Sequence, residues 1–400
     1  MQKFVYYAPT EIVFGRETEK KTGELVKKHG GTRALVVYGG SSAVKSGLIE
    51  RVMDSLEEAG VAAMATGGVV PNPLLSTARR MAQEALDFQA DFIVAVGGGS
   101  VIDTAKGVAH AAGKPGSDVW DFWSRKEAPD HSLPVGAIVT ISAAGSETSN
   151  SAVLTNDDMT PPTKRGLNCD ANRCRFAIMN PELTMTLPKW QLGAGAADVF
   201  MHTSERYFAK ILGNHLTDEF AEGLFRDIIK YGPVTVEHPE DYEAASEVMW
   251  CGSISHVGIT GLGSQGDGPR DGDWSCHQLG LAISALYDST HGATLTAVWG
   301  SWARYVMSEN VGRFAEFARK VYGICEADDE KAAAEGIAKT EDFFRSMGMP
   351  LTVTELLGKE PTDEELEAIA VECTYGRTRT IGGFKELGYD DILAIYRMAR

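Results

Sequence analysis

An aspartate and a histidine four residues apart, Asp198 and His202, are the starting point for any chemistry in this 400-residue chain. They lie in Gly193-Ala-Gly-Ala-Ala-Asp198-Val-Phe-Met-His202-Thr-Ser-Glu-Arg206, a stretch that reads as the start of a helix. At that spacing both side chains project from one helical face, about one turn apart. A carboxylate and an imidazole held that way can grip one divalent cation. Such pairs are also common on solvated helices, so the pair alone does not define a metal site. A second stretch, Cys276-His277-Gln-Leu-Gly280 to Tyr287-Asp-Ser-Thr-His291-Gly292, adds two more imidazoles. On one straight helix His277 and His291 would stand about 21 Å apart. They can share an ion only where the chain turns back, and Asp288, Ser289 and Gly292 make Tyr287 to Gly292 the expected turn. The four side chains would then form an Asp/His₃ set, an assembly the sequence permits without showing it.

A different chemistry is suggested by Val94-Ala-Val-Gly97-Gly98-Gly99-Ser100-Val-Ile-Asp103-Thr-Ala-Lys106-Gly107. A strand runs into three glycines and a helix begins at once. Glycines let backbone approach an anion, and the free N–H groups and dipole of the new helix favour negative charge. A pyrophosphate is the natural guest, although a tight strand–helix turn needing no ligand has the same appearance. The stretch lacks the G-x-G-x-x-G fingerprint of a standard Rossmann site. NAD-preferring sites often place an acid beside the adenosine ribose. Here the first strand ends in Tyr38-Gly39-Gly40-Ser41-Ser42, without an acid, and Lys45 follows. Gly39, Gly40 and Ser41 therefore leave room for a 2′-phosphate, and the expected cofactor is NADP(H) in preference to NAD(H).

The elements that must position these groups change character along the chain. Ala34–Tyr38, Val61–Met64, Asp91–Val96, Val135–Thr140 and Phe176–Met179 are short apolar runs alternating with helical patterns, one passing through Val44, Leu48, Val52 and Leu56, others over Ser76–Phe88 and Val101–Ala112. That alternation describes a parallel sheet covered on both faces. After Pro188 helical segments take over. Thr217 is read as the cap of one, Asp328 opens another, and Thr362-Asp-Glu-Glu365 has the form of a capping box. The expected organisation is an α/β, Rossmann-like dinucleotide-binding domain over 1–187 and an all-α metal-binding domain over 188–400. The glycine-rich run Gly261 to Gly272 reads as a long loop, either a plain connection or the rim of a site.

These motifs together resemble the iron-containing (group III) alcohol dehydrogenase family, within it the NADPH-dependent butanol dehydrogenase branch. The resemblance rests on Pro71-Asn-Pro73, the Gly97–Lys106 segment, Ala144-Gly-Ser-Glu147, Asp198-x3-His202, and His277 with His291, in order from about residue 10 to Ile395. It implies the dehydroquinate synthase-like fold, with the cofactor in a cleft between the halves. It implies Asp198, His202, His277 and His291 as ligands of a catalytic Fe²⁺, or sometimes Zn²⁺. It implies pyrophosphate contacts at Gly97, Gly98, Gly99 and Ser100, nicotinamide-side contacts from Asp103, Thr140, Ser142, Ser149 and Lys164, and Asn72 lining the cofactor cleft. The implied reaction is hydride transfer between NADP(H) and a primary alcohol or aldehyde, in a homodimer. Two departures stand out: family members usually carry a second histidine where this chain has Leu281, and often a threonine at Ala144. The alternatives are a dehydroquinate synthase-like lyase, disfavoured by the few basic clusters around Asp198 and His277, and a non-catalytic dinucleotide-binding protein with a structural metal.

Composition narrows the partners. A formal charge of −17 repels nucleic acid and anionic membranes, and no apolar run reaches the ~18–20 residues of a bilayer span. The opening Met1-Gln-Lys-Phe-Val-Tyr-Tyr7 reads as folded sequence, not a leader. Six cysteines without Cys-x-x-Cys pairing read as reduced core thiols, and the expected compartment is the cytoplasm. His29, His110, His131, His215 and His238 are read as solvated, and His256 as a candidate for the pocket lining. Trp120, Phe122 and Trp123 are read as packing or mouth residues, and Trp250, Trp299 and Trp302 as core.

Overall fold

The computed structural model describes residues 3–210, 214–264 and 272–400; most of the glycine-rich run lies outside them. The chain divides into two compact units, Tyr7–Thr186, and Leu187–Arg400 with the amino terminus up to Tyr6.

The first unit carries eight strands: β1 (Glu11–Phe14), β2 (Arg33–Tyr38), β3 (Ala62–Thr66), β4 (Phe92–Gly97), β5 (Val135–Val139), β6 (Ser151–Asn156), β7 (Thr163–Asn168) and β8 (Phe176–Met179). Six form a parallel sheet in the order β1-β8-β5-β4-β2-β3, and β6 pairs with β7 in a separate antiparallel ribbon. Every residue of β4, β5 and β8 is buried, because a parallel sheet has both faces covered. Side chains alternate between those faces. Leu35, Val37, Ile93 and Ala95 pack on Val101, Ile102, Ala105 and Val108 of the Gly99–Gly113 helix. Ala34, Val36, Val94 and Val96 pack on Leu48, Val52 and Leu56. After β3 the chain crosses back over β2 to lay down β4, so the strand order reverses between β2 and β4. The carboxyl ends of strands at such a reversal form the usual ligand crevice of open α/β sheets.

Differences from the sequence expectation have local causes. The helix read through Val44–Leu56 is two helices, Ser41–Lys45 and Leu48–Glu58, because Gly47 between them takes φ 70°. Strand β1 and the β6–β7 ribbon were not expected: β1 is short and opens on Glu11, and in the ribbon the three apolar residues Ala152-Val-Leu154 pair with the mostly polar Thr163-Lys-Arg-Gly-Leu-Asn168. His110, read as solvated, is buried in the Gly99–Gly113 helix, where its Nε2 lies 2.8 Å from Asn172 Oδ1. The reading missed it because its partner lies 62 positions away.

In the second unit the described residues form helices and no strand, apart from an isolated bridge between Ile381 and Leu387. Asp328 caps the Asp329–Ser346 helix, and Thr362 closes a capping box with Glu365. Thr217 does not cap: it lies inside the His215–Glu237 helix, whose N-cap is Asn214. Phe200, Phe225, Phe317, Phe344, Trp299 and Trp302 lie at the heart of the core. Trp250 is 43% exposed, against the expectation of burial, because Val248, Met249 and Cys251 define the inward face of its helix and position 250 falls opposite. Among the described residues no helix is long and apolar enough to cross a membrane.

Candidate active site

Asp198 and His202 sit on the Lys189–Tyr207 helix, buried over most of its length. His277 belongs to the Ser275–Tyr287 helix and His291 opens the His291–Val306 helix. The chain turns back between these two at Asp288, which adopts a left-handed conformation with φ 48°. Asp198 Oδ1 lies 3.7 Å from His202 Nδ1, 3.6 Å from His277 Nε2 and 3.8 Å from His291 Nε2. Asp198, His202 and His277 form a group whose ligand atoms all lie within 4.8 Å of one another. His291 adjoins that group through Asp198.

The separations are too long for hydrogen bonds. Asp198 Oδ1, His202 Nδ1 and His277 Nε2 are all buried with no hydrogen-bond partner among the described residues. Leaving three such atoms unsatisfied costs about 1–3 kcal/mol each, whereas donor atoms bound to one ion at about 2.1 Å sit roughly 3–3.5 Å apart. A divalent cation satisfies all three atoms, so the donor set fits the metal its chemistry suggests.

Two glycines let the helices come together. A Cβ on Gly292 would lie 2.0 Å from the Ala194 carbonyl oxygen, and one on Gly280 would lie 2.7 Å from Thr294 Oγ1. Three residues near the cluster escaped the sequence reading. Glu205, also on the Lys189–Tyr207 helix, accepts from the His277 backbone N–H at 2.8 Å and lies 3.0 Å from its Nδ1 through the same Oε1. Its spacing from His202 was a signal, but its partner is 72 positions away. Trp274, held at φ 61°, lies 5.1 Å from the His277 ring and 6.2 Å from that of His202. The Arg206 guanidinium stacks 4.7 Å over Trp274 and donates to the carbonyls of His202 and Ser255. His256, the pocket-lining candidate, packs its ring 4.1 Å from that of His202.

The electrostatics of adjacent imidazoles differ. Burial, then the neighbouring His256 and His277, hold His202 well below the ordinary histidine value. Burial also pulls His277 down, but Asp198 and Glu205 more than offset it and raise it to about 9. At 3.6 Å the Asp198 contribution is charge attraction, not a hydrogen bond. Asp273, buried and close to the Glu205 charge, is raised to about 7 while accepting from the Gly383, Phe384 and Ser275 N–H groups.

In the α/β unit the glycine motif falls at the carboxyl end of β4. Gly97 ends the strand and Gly98 caps the Gly99–Gly113 helix. A Cβ on Gly97 would lie 2.4 Å from Val101, one on Gly98 2.9 Å from Ile141, and one on Gly99 3.0 Å from Ala144. Gly39, Gly40 and Ser41 follow β2 directly, and Thr140, whose N–H donates to the Gly97 carbonyl, follows β5. These segments meet where the strand order reverses. Lys164 Nζ donates to Asn72 Oδ1 at 2.7 Å, joining two residues 92 positions apart. The Ser142 hydroxyl is buried without a partner among the described residues. Asp103 accepts from the Ser146 hydroxyl and the Val153 N–H, and the Ser149 hydroxyl faces the Ser151 backbone. Lys106 Nζ is buried there too, donating to Ser146 and Ser151 carbonyls.

An α/β dinucleotide-type unit followed by a helical unit with a carboxylate–imidazole cluster supplies the two parts that a metal-using, nicotinamide-dependent enzyme requires. Residues 9–181 match the iron-containing alcohol dehydrogenase model and residues 193–400 the carboxyl-terminal model of the Fe-containing alcohol dehydrogenases. The chain belongs to this family, and it is an NAD(P)-dependent alcohol dehydrogenase or aldehyde reductase of the iron type. It is 34% identical over 400 residues to NADH-dependent butanol dehydrogenase A of Clostridium acetobutylicum, covering 99% of both chains. It is 31% identical over 353 residues to the NADPH-dependent aldehyde reductase YqhD of Escherichia coli, covering 88% of both. The crystal structure of NADH-dependent butanol dehydrogenase A from Thermotoga maritima superposes with a TM-score of 0.94 at 34% identity, over 100% of this chain and 99% of that one.

Proposed function

We propose that this enzyme interconverts short primary alcohols and aldehydes with NADP(H), using Fe²⁺ or Zn²⁺ held by Asp198, His202, His277 and His291. The observation that carries the metal assignment is the convergence of three buried, unpartnered donor atoms on one point. When bound, the ion supplies Lewis acidity toward a substrate oxygen, and the dinucleotide supplies hydride exchange. The protein's part is orientation and exclusion of water. Gly97–Ser100 present the N-terminal N–H groups of their helix to a pyrophosphate, and Lys164 with Asn72 supplies a fixed cation and amide in the same unit. Asp103 and Ser149 position this loop system. Asp198 contributes the negative charge that neutralises a cation, and Trp274 stacked on Arg206 walls one side of the imidazoles. Leu281, one turn beyond His277, offers no exchangeable proton there.

The preference for NADP(H) rests on Gly39, Gly40, Ser41 and Ser42 at the end of β2, with no acid to exclude a 2′-phosphate and an exposed Lys45 beyond. The named relatives divide between NADH and NADPH dependence, so the ratio of kcat/KM for the two cofactors is the test. Protein purified without oxygen, stripped with a chelator and reloaded with Fe²⁺ or Zn²⁺, is assayed by dinucleotide absorbance against short aldehydes. Turnover is expected only after reloading, with the higher kcat/KM for NADPH. Full turnover in stripped protein overturns the metal assignment, and equal or better efficiency with NADH overturns the cofactor preference.

A further inference from the structure

We infer that Glu205 is the positioning residue that sets the tautomer and aim of His277, an inference that rests on the proposed metal site. A ligating imidazole has two nitrogens, and the hydrogen bond made by one determines which lone pair is left on the other. Glu205 Oε1 lies 3.0 Å from His277 Nδ1 and also accepts the His277 backbone N–H at 2.8 Å. A carboxylate accepts only, so the contact places a proton on Nδ1 and leaves Nε2 as the donor facing Asp198 at 3.6 Å. Because the same oxygen binds both ring and main chain of one residue, it fixes ring rotation as well as tautomer.

The surrounding chain holds Glu205 in place. It stands three residues after His202 and seven after Asp198, on the same face of one helix. The Asp273 N–H donates to the Glu205 carbonyl at 2.7 Å. Gly272, at φ +138°, permits that approach, since a Cβ there would lie 2.2 Å from the same carbonyl oxygen. One residue thus joins the helix bearing Asp198 and His202 to the segment that leads into His277. The buried carboxylate also adds a negative charge behind the ring, which raises the basicity of Nε2 toward a cation.

The test uses the full chain and Zn²⁺. Glu205→Gln removes the charge and the obligate acceptor, since an amide can turn either its oxygen or its NH₂ toward Nδ1. Competition with a chromophoric chelator is expected to show Zn²⁺ affinity about 10–100-fold weaker than wild type, with dinucleotide affinity unchanged. Nitrogen NMR of histidine-labelled, Zn²⁺-loaded wild type is expected to show His277 protonated at Nδ1 and metallated at Nε2, a readout that a purely structural role leaves undetermined. Wild-type affinity in Glu205→Gln, or metallation of His277 through Nδ1, overturns the inference. If Glu205→Gln does not fold, the wild-type tautomer decides. If wild-type protein binds no Zn²⁺, the metal assignment itself fails, an outcome distinguishable from failure of the Glu205 role.

Discussion

Asp198 is the only acid among the four predicted ligands, and its Oδ1 lies within 3.8 Å of three imidazole nitrogens without a hydrogen bond to any. Removing one imidazole should therefore cost metal before it costs anything else. In His277→Ala, metal content after dialysis is expected to fall to background, while dinucleotide affinity stays within about twofold of wild type, since none of the groups proposed to bind the pyrophosphate is touched. Turnover retained by the metal-free variant contradicts the mechanism. Much of this was legible in residue types: a carboxylate and an imidazole at helical spacing announce themselves. Glu205 and Arg206 stood in the same motif but carried no visible role, because their partners, His277 and Trp274, lie in a segment some seventy positions later. His110 shows the converse failure, a titratable residue covered by Phe122, Trp123 and Asn172, none of them on its own helix.

At the scale of the element, the turn from β4 into its helix has no spare volume. Gly97→Ala would bring a methyl group 2.4 Å from Val101 Cγ2 and 2.6 Å from its Cβ, and overpacking of this kind costs about 1–3 kcal/mol. Urea unfolding should register that loss, together with weaker dinucleotide binding, and a variant as stable as wild type contradicts the packing. The helix that follows carries a pH dependence of its own. Burial holds His110 neutral, its value lowered to about 4 from 6.5. The unfolded chain therefore binds the extra proton between those values, so the contribution to stability is complete above pH 6.5 and is lost as pH falls toward 4, by up to about 3 kcal/mol. His110→Gln should flatten the slope of unfolding free energy between pH 6.5 and 4, and an unchanged slope removes the effect. Strands β2, β4, β5 and β8 were legible because buried parallel strands are apolar throughout. The β6–β7 ribbon was not, since Ser151, Thr155, Lys164 and Arg165 hide the pattern. Yet that ribbon brings Lys164 to Asn72.

For the molecule as a whole, the two units are expected to answer to different ligands. An ion present at a thousand times its dissociation constant adds about 4 kcal/mol to the stability of the state that binds it. Hydrogen exchange should localise that gain to the helices Lys189–Tyr207, Ser275–Tyr287 and His291–Val306 on adding Zn²⁺, and to residues 97–103 on adding NADPH. Protection by Zn²⁺ confined to the α/β unit contradicts the assignment. The change from alternating strands to helices after Pro188 was plain from periodicity alone. The turn that brings His277 and His291 together was legible in Asp288, Ser289 and Gly292, although the left-handed conformation of Asp288 that makes it was not.

Gly280 and Gly292 have a practical consequence for anyone hoping to toughen this enzyme. Replacing helical glycine by alanine is among the commonest recipes for a hardier protein, because it restrains the denatured chain. Both positions would top such a worklist, and at both the added methyl has nowhere to go. A thermostability campaign guided by helix preference alone would push the His291 helix away from its neighbours, the His277 helix at Gly280 and the Lys189–Tyr207 helix at Gly292, trading the catalyst for its scaffold.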